Sequence, residues 1–217
     1  MSLQQIPVRI PIGRVVVEGN LTLPSNAKGL VLFAHGSGSS RFSPRNQFVA
    51  KIFNNNKIGT LLFDLLTNEE DQEDLETAEY RFNIGLLATR LIGATEWVKN
   101  DPQTKDLVLG YFGASTGAAA ALVAAAKVPE DIATVVSRGG RPDLAGDYLP
   151  KVIAPTLLLV GGLDTEVIEL NKQAMDQMIS EKKLVIIPGA THLFEEPGKL
   201  AEVAKLTADW FLCYLKK

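Results

Sequence analysis

The segment Gly113-Ala114-Ser115-Thr116-Gly117 sets a serine between two glycines, where the apolar run DLVLGYF gives way to the alanine-rich run AAAALVAAAK. A Gly-x-Ser-x-Gly pattern at a strand-to-helix corner is typical of a nucleophilic serine held on a sharp turn. Taken alone, the same pattern is explained equally well by a small-residue turn that lets a helix pack close to a sheet. The rest of the chain therefore has to distinguish catalysis from packing.

An acid and a base follow two later apolar runs, in the order Ser115, Asp164, His192. Asp164 comes after PTLLLVGG and His192 comes after KLVIIPG, so each of the three residues follows a predicted strand. Because the C-terminal ends of parallel strands meet at one edge of a sheet, we expect the three side chains to converge. A serine hydroxyl needs a base to accept its proton, and a carboxylate on the other imidazole nitrogen orients that base. The pattern predicts a Ser-His-Asp relay.

The chain has 2 histidines, so the general base is either His35 or His192. His35 opens the loop HGSGSS after an earlier predicted strand, the position expected for a loop that supplies part of an oxyanion hole. We therefore predict His192 as the base and His35 as a structural hydrogen-bonding residue. The oxyanion donors are predicted to be the backbone N–H groups of Thr116 and Ser37.

The elements that must position these residues alternate between apolar runs and helix-length amphipathic segments from Pro24 onward. Near-continuous apolar strands are expected where helices cover both faces of a mostly parallel sheet. Together with an early hairpin split at Gly13, they predict an α/β fold with eight strands in a single domain over residues 1–217. The acidic run at 69–74 is predicted as a solvated loop before a long helix that starts near Thr77.

Composition and charge argue against nucleic-acid binding, membrane insertion and metal binding. The chain has 217 residues and a formal net charge of −3, so no overall positive field exists to hold nucleic acid or an anionic membrane. We find no secretory signal pattern and no apolar run of the roughly 20 residues that a bilayer span needs, and we expect a cytoplasmic location. The single cysteine, Cys213, is predicted as a buried residue of the last helix. No metal site and no cofactor are predicted.

Four segments carry a resemblance to a known family: LVLFAHGSGSSRFSPRN, GYFGASTG, TLLLVGGLD and PGATHLFEEPG. Through them the chain resembles the α/β-hydrolase superfamily over almost its whole length, and within it is most similar to the dienelactone hydrolase family. The resemblance implies an α/β-hydrolase fold and the hydrolysis of esters or lactones through an acyl-enzyme. Dienelactone hydrolases proper use a cysteine nucleophile where this chain has Ser115, which argues against dienelactone itself as the substrate.

The segment between the sixth and seventh predicted strands is short. Only residues 139–153 separate IATVVSR from PTLLLV, and that length leaves no room for a cap domain. We expect an open, shallow site that favours small soluble esters, lactones or thioesters over long acyl chains.

The role of Asp164 and the identity of a substrate-binding arginine each have more than one interpretation. Asp164 is also well placed to be the N-cap of a helix beginning near Thr165, a role compatible with catalysis. Arg41, Arg138 and Arg141 are candidates for binding a substrate carboxylate, although structural pairing to acids such as Asp143 is at least as well supported. Of these three arginines, Arg138 is taken as the candidate substrate-binding residue.

The sequence as a whole predicts a serine hydrolase of small carboxylic esters or lactones. A thioesterase or an acyl-peptide hydrolase with the same triad is the alternative within enzymes. A non-catalytic binding module on a hydrolase fold is the alternative from another class. The expected partner is a small-molecule substrate rather than nucleic acid or a membrane, and the protein is expected to be a monomer or a homodimer.

Overall fold

A computed structural model gives the conformation of residues 4–216. One sheet contains eight strands: β1 (Ile6–Ile12), β2 (Val15–Thr22), β3 (Leu30–Ala34), β4 (Gly59–Phe63), β5 (Leu109–Ala114), β6 (Ile132–Arg138), β7 (Thr156–Gly161) and β8 (Lys182–Ile187). Six α-helices accompany it within these residues: α1 (Pro44–Asn55), α2 (Asn68–Thr77), α3 (Ile84–Asn100), α4 (Thr116–Lys127), α5 (Thr165–Gln177) and α6 (Lys199–Tyr214).

The strands lie in the order β1-β2-β4-β3-β5-β6-β7-β8. β2 pairs antiparallel with β1 and with β4, and every other neighbouring pair is parallel. The early hairpin turns at Gly13, whose φ of 61° suits glycine, and it forms the edge of the sheet. These observations confirm the predicted eight-stranded, mostly parallel sheet.

Helices cover both faces of this sheet, as predicted. On one face, α3, α4 and α5 bury a cluster that includes Leu32, Tyr111 and Val135. On the other face, α1 and α6 bury a cluster that includes Phe33 and Phe112. The central strands β3 and β5 are buried along their whole length, because neighbouring residues of a strand point to opposite faces and both faces are covered. This burial explains the near-continuous apolar runs in the sequence.

The prediction of a solvated loop at residues 69–74 is wrong, because these residues belong to α2. The helix begins with a capping box, in which the Thr67 hydroxyl accepts the Glu70 N–H and the Glu70 carboxylate accepts the Thr67 N–H. Acidic side chains in the first turn also interact favourably with the helix dipole. The helix ends at Ala78, which adopts the left-handed conformation, so the following helix starts at Ile84 rather than near Thr77.

Asp74, the last acid of the run, is buried and fixes the turn after α2. Its carboxylate accepts the backbone N–H groups of Tyr80 and Arg81 and pairs with the Arg81 guanidinium at 2.6 Å. Burial alone would raise the pKa of Asp74, but these hydrogen bonds outweigh it and lower the pKa. The acidic run is thus part of the folded structure.

The segment between β6 and β7 carries a 3-10 helix, Pro142–Lys151, and no cap domain, as the short spacing predicts. Cys213 is exposed on α6, so its predicted burial is wrong. The helical periodicity places Thr207 and Phe211 on the buried side of α6 and turns Cys213 toward solvent. Among residues 4–216, no helix combines the length and apolar character that crossing a bilayer requires.

Candidate active site

Ser115 occupies the corner between β5 and α4 in a strained conformation, with φ 50° and ψ −122°. A positive φ at a non-glycine residue typically costs on the order of 1–3 kcal/mol and persists where packing enforces it. Close packing enforces it here, since a Cβ at Gly117 would lie 2.2 Å from the Ala34 carbonyl oxygen. A Cβ at Gly113 would lie 2.4 Å from the Cα of Ala118. The two glycines therefore allow the corner that holds the serine.

Asp164 and His192 follow β7 and β8 and contact each other. The Nδ1 of His192 lies 2.6 Å from Oδ2 of Asp164, the distance of a charge-assisted hydrogen bond in which Nδ1–H donates. This bond leaves Nε2 free to accept a proton. The loops approach closely because residue 161 is glycine: a Cβ there would lie 2.4 Å from the Thr191 carbonyl oxygen. The predicted acid and base are thus brought together.

The Asp164 carboxylate does not cap α5, although Asp164 stands at the N-cap position. Its side chain makes no capping hydrogen bond and instead contacts His192. Glu169, in the body of the same helix, pairs with Lys172 at 2.6 Å. Of the two roles that the sequence allowed for Asp164, the geometry matches the one toward the histidine.

Ser115 and His192 share one structural neighbour, the turn after β6. The backbone N–H of Ser115 donates to the Arg138 carbonyl at 3.3 Å. A Cβ at Gly139, the next residue, would lie 3.7 Å from Cε1 of His192. All three predicted residues therefore lie at the same edge of the sheet. The Ser115 hydroxyl itself makes no hydrogen bond within residues 4–216, either to His192 or to another residue.

The two residues predicted to form the oxyanion hole lie side by side. Thr116 is the first residue of α4, and the backbone N–H of Ser37 donates to its hydroxyl oxygen at 3.1 Å. A Cβ at Gly36 would lie 3.0 Å from the Cβ of Ser115, so the loop passes directly against this serine. The structure differs from the prediction in one respect, because the Ser37 N–H already donates to the Thr116 hydroxyl. Sequence reasoning missed this use of the Thr116 hydroxyl, because the contact joins residues 79 positions apart.

His35 uses both ring nitrogens within the protein. Its Nε2 accepts the backbone N–H of Leu65 at 3.0 Å, and its Nδ1 lies 3.0 Å from the Gly36 carbonyl oxygen. Burial lowers the pKa of His35, although the Gly36 hydrogen bond and the nearby carboxylates oppose this change. The ring is therefore a neutral Nδ1–H imidazole that ties the loop after β3 to the end of β4, which agrees with the structural role predicted for it.

The three candidate arginines have different surroundings. Arg141 forms a two-point ion pair with Asp143, with distances of 2.9 and 2.8 Å. Arg41 pairs with Asp64 and, at 2.7 Å, with Glu18. Arg138 is buried and forms no ion pair within residues 4–216. The geometry therefore gives Arg41 and Arg141 structural partners and leaves Arg138 as the unpaired cation of this edge.

The sheet order, the helices on both faces and the strand-turn-helix corner at Ser115 are those of the α/β-hydrolases. The chain belongs to the dienelactone hydrolase family, whose model matches residues 49–212. A crystal structure of dienelactone hydrolase from Anabaena variabilis is 56% identical, with a TM-score of 0.98 and complete coverage of both chains. The resemblance stated from the sequence is confirmed.

Two further comparisons concern a solved structure with the same fold and a longer relative. Est1E from Butyrivibrio proteoclasticus is 17% identical with a TM-score of 0.80, covering 97% of this chain and 99% of that one, and shares the fold. A Mycobacterium tuberculosis protein whose name describes a phosphoribosyl transferase is 54% identical over 213 residues. That alignment covers 98% of this chain but 47% of the relative, so the chain spans about half of the relative's length.

Proposed function

We propose that this protein is a serine hydrolase that cleaves small carboxylic esters or lactones through an acyl-enzyme. The observation that carries the proposal is the strained Ser115 corner at the same sheet edge as the His192–Asp164 pair. A positive φ at Ser115 does not stabilise the fold, whereas a half-buried serine held on a fixed corner suits a nucleophile.

In the proposed reaction, Ser115 Oγ attacks the ester carbonyl carbon while its proton passes to Nε2 of His192. Asp164 stabilises the resulting imidazolium through the 2.6 Å bond to Nδ1. The tetrahedral intermediate collapses when the C–O bond to the leaving alcohol breaks and His192 returns the proton to that oxygen. A water molecule then attacks the acyl-enzyme with His192 again as base, which releases the carboxylic acid and restores Ser115.

The negative oxygen of the intermediate is proposed to bind the backbone N–H groups of Thr116 and Ser37. Thr116 contributes from the N-terminus of α4, where free N–H groups and the helix dipole favour an anion. Ser37 has to exchange its present acceptor, the Thr116 hydroxyl, for the substrate oxygen. Each such donor typically contributes on the order of 3 kcal/mol to the transition state.

The lack of a cap favours a small substrate. A narrow crevice beside the oxyanion loop borders Ser37 and Thr116, but neither Ser115 nor His192 is among its lining residues. The 3-10 helix between β6 and β7 adds no cap over this edge of the sheet. Membership of the dienelactone hydrolase family supports hydrolysis as the reaction class.

The test compares wild type with Ser115→Ala and with Ser25→Ala, an exposed serine of the turn before β3. We expect Ser115→Ala to abolish turnover of p-nitrophenyl acetate with nearly unchanged thermal unfolding, and Ser25→Ala to behave as wild type. A fluorophosphonate probe should label the wild-type protein at Ser115. Folded protein that neither turns over esters nor reacts with the probe would support a non-catalytic binding module.

The same assay distinguishes related hydrolases. Matched acetyl esters, thioesters and acylated peptides present one acyl group with different leaving groups. We expect the ester to have the highest kcat/KM, and a preference for the thioester or the peptide would assign the triad to those substrates instead.

Phosphoribosyl transfer is a second candidate because of the name of the Mycobacterium tuberculosis relative. The aligned region contains the Ser115 corner and the His192–Asp164 pair, which a phosphoribosyl transfer does not use. We therefore propose that this chain corresponds to a hydrolase portion of that protein. Incubation with 5-phosphoribosyl 1-pyrophosphate and purine or pyrimidine bases should release no pyrophosphate, and release would contradict this assignment.

A further inference from the structure

The side-chain hydroxyl of Thr116 lies beside the proposed oxyanion site and has an unused proton. Thr116 follows the proposed nucleophile as the first residue of α4, and it is 4% exposed. Its Oγ1 accepts the Ser37 N–H at 3.1 Å. Within residues 4–216 the hydroxyl makes no other hydrogen bond, so its own O–H donates to nothing.

Most other buried threonines use this proton within the fold. Five of them donate to a backbone carbonyl oxygen: Thr95, Thr104, Thr134, Thr156 and Thr207. In an α-helix the usual acceptor is the carbonyl four residues earlier, as Val203 is for Thr207 at 2.8 Å. Because α4 begins at Thr116, no helical turn precedes it to supply this acceptor. The start of the helix therefore leaves a buried donor free.

The contact with Thr116 is not needed to hold the loop after β3. The His35 ring already ties this loop to the Leu65 backbone, and the Ser39 N–H donates to the Gly36 carbonyl at 3.2 Å. Ser37 is exposed, and one neutral hydrogen bond to an exposed loop residue contributes little to folding. A role in the reaction therefore explains the buried hydroxyl better than a role in the fold.

We propose that the Thr116 hydroxyl is a third donor of the oxyanion hole, available when the oxyanion forms. This inference rests on the proposed function, because the oxyanion arises only when Ser115 attacks a carbonyl carbon. A substrate oxygen that accepts the Thr116 and Ser37 N–H groups replaces Oγ1 as the acceptor of Ser37 and lies next to it. The released hydroxyl then rotates and donates its O–H to the negative oxygen. It donates a hydrogen bond only, and the proton of Ser115 still passes to His192.

This third donor favours the transition state over the bound ester. A hydrogen bond to an ionised acceptor is roughly twice as strong as one between neutral groups. The neutral ester oxygen is the weaker acceptor, and it competes with the existing bond between Ser37 and Thr116. An interaction that strengthens only as the oxyanion develops raises kcat without lowering KM.

The test compares Thr116→Val with Thr116→Ser. Valine keeps the shape and the backbone N–H of threonine and lacks the hydroxyl, whereas serine keeps the hydroxyl. We expect Thr116→Val to lower kcat on p-nitrophenyl acetate by about 10- to 100-fold and to change KM by less than about two-fold, as for a lost hydrogen bond to a charged group. Thr116→Ser should restore most of the lost kcat.

Thr207→Val is the matched control. It removes the hydroxyl of another buried threonine, on α6 at the opposite face of the sheet from α4, and should keep the kcat of wild type. A general effect of deleting a buried hydroxyl would lower kcat in both valine variants, and this result would contradict the proposal.

A ligand that forms the oxyanion without turnover gives a second measurement. Trifluoroacetophenone accepts a serine oxygen at its carbonyl carbon and then presents a negative oxygen to the same donors. Its dissociation constant, measured by fluorine NMR, should rise in Thr116→Val by about the factor by which kcat falls, and should not change in Thr207→Val. Equal affinity for wild type and Thr116→Val would contradict the third donor.

The remaining outcomes distinguish this inference from the proposed function. An unchanged or increased kcat in Thr116→Val would overturn the third donor, since an increase would make the hydroxyl only a competitor for the Ser37 N–H. An equal loss in Thr116→Ser would also overturn it, because the cause would then be side-chain shape. Wild-type protein that neither hydrolyses esters nor reacts with the fluorophosphonate probe would reject the proposed function and the third donor with it.

Discussion

Replacing Asp164 tests whether its carboxylate serves catalysis or the fold. In Asp164→Ala, His192 loses the partner that lies 2.6 Å from Nδ1 and that stabilises the imidazolium formed during attack. Two unit charges about 4 Å apart interact by about 4 kcal/mol at an effective dielectric constant of about 20. The side chain of His192 is 38% exposed, and solvent screening reduces this figure.

We therefore expect Asp164→Ala to lower kcat by about 10²-fold and by no more than about 10³-fold, at about 1.4 kcal/mol for each factor of ten. The stability change should be small. Loss of a true N-cap costs about 1 kcal/mol, but Asp164 makes no capping hydrogen bond to α5. The free energy of unfolding should then change by less than about 0.5 kcal/mol.

The assay measures kcat on p-nitrophenyl acetate together with urea unfolding of the same preparations. Glu166→Ala provides the matched control, because Glu166 is an exposed acid in the first turn of α5, two residues from Asp164. Its kcat should equal that of wild type. Asp164→Ala with normal kcat and reduced stability would refute the reasoning, since it would make Asp164 a capping residue alone.

Two further predictions concern the elements that position the site. Gly117→Ala should destabilise the protein by about 1–3 kcal/mol and lower kcat, because its Cβ would lie 2.2 Å from the Ala34 oxygen; unchanged thermal unfolding would contradict the packing argument. His35 has a lowered pKa in the folded state, so the unfolded chain binds its proton first as the pH falls. Wild-type stability in urea should therefore be complete above about pH 6.5 and decrease below it. His35→Gln should be less stable at pH 8 and show a smaller decrease between pH 8 and pH 5, and equal decreases would contradict the assignment.

Much of the fold follows from local patterns in the sequence. Apolar runs that alternate with amphipathic segments predicted the eight strands, because burial on both faces of a sheet demands such runs at every central strand. The positions of Ser115, Asp164 and His192 after their strands predicted one shared edge, because parallel strands end on the same side. The helix at 68–77 also has a local signal in the sequence, the pair Thr67 and Glu70 of its capping box, which outweighs the run of acids.

The order of the elements and the types of residue at their ends can be read from the chain alone, since hydrophobic period and turn chemistry depend on neighbours along the chain. Which charges and donors find partners depends on the three-dimensional fold. Arg41, Arg138 and Arg141 are the same residue type, yet within residues 4–216 Arg41 and Arg141 contact acids and Arg138 does not. The contact of Ser37 with Thr116 likewise appears only after folding. Ion pairs and hydrogen bonds act over a few ångströms in space, and closeness of that kind leaves no repeating pattern in the sequence.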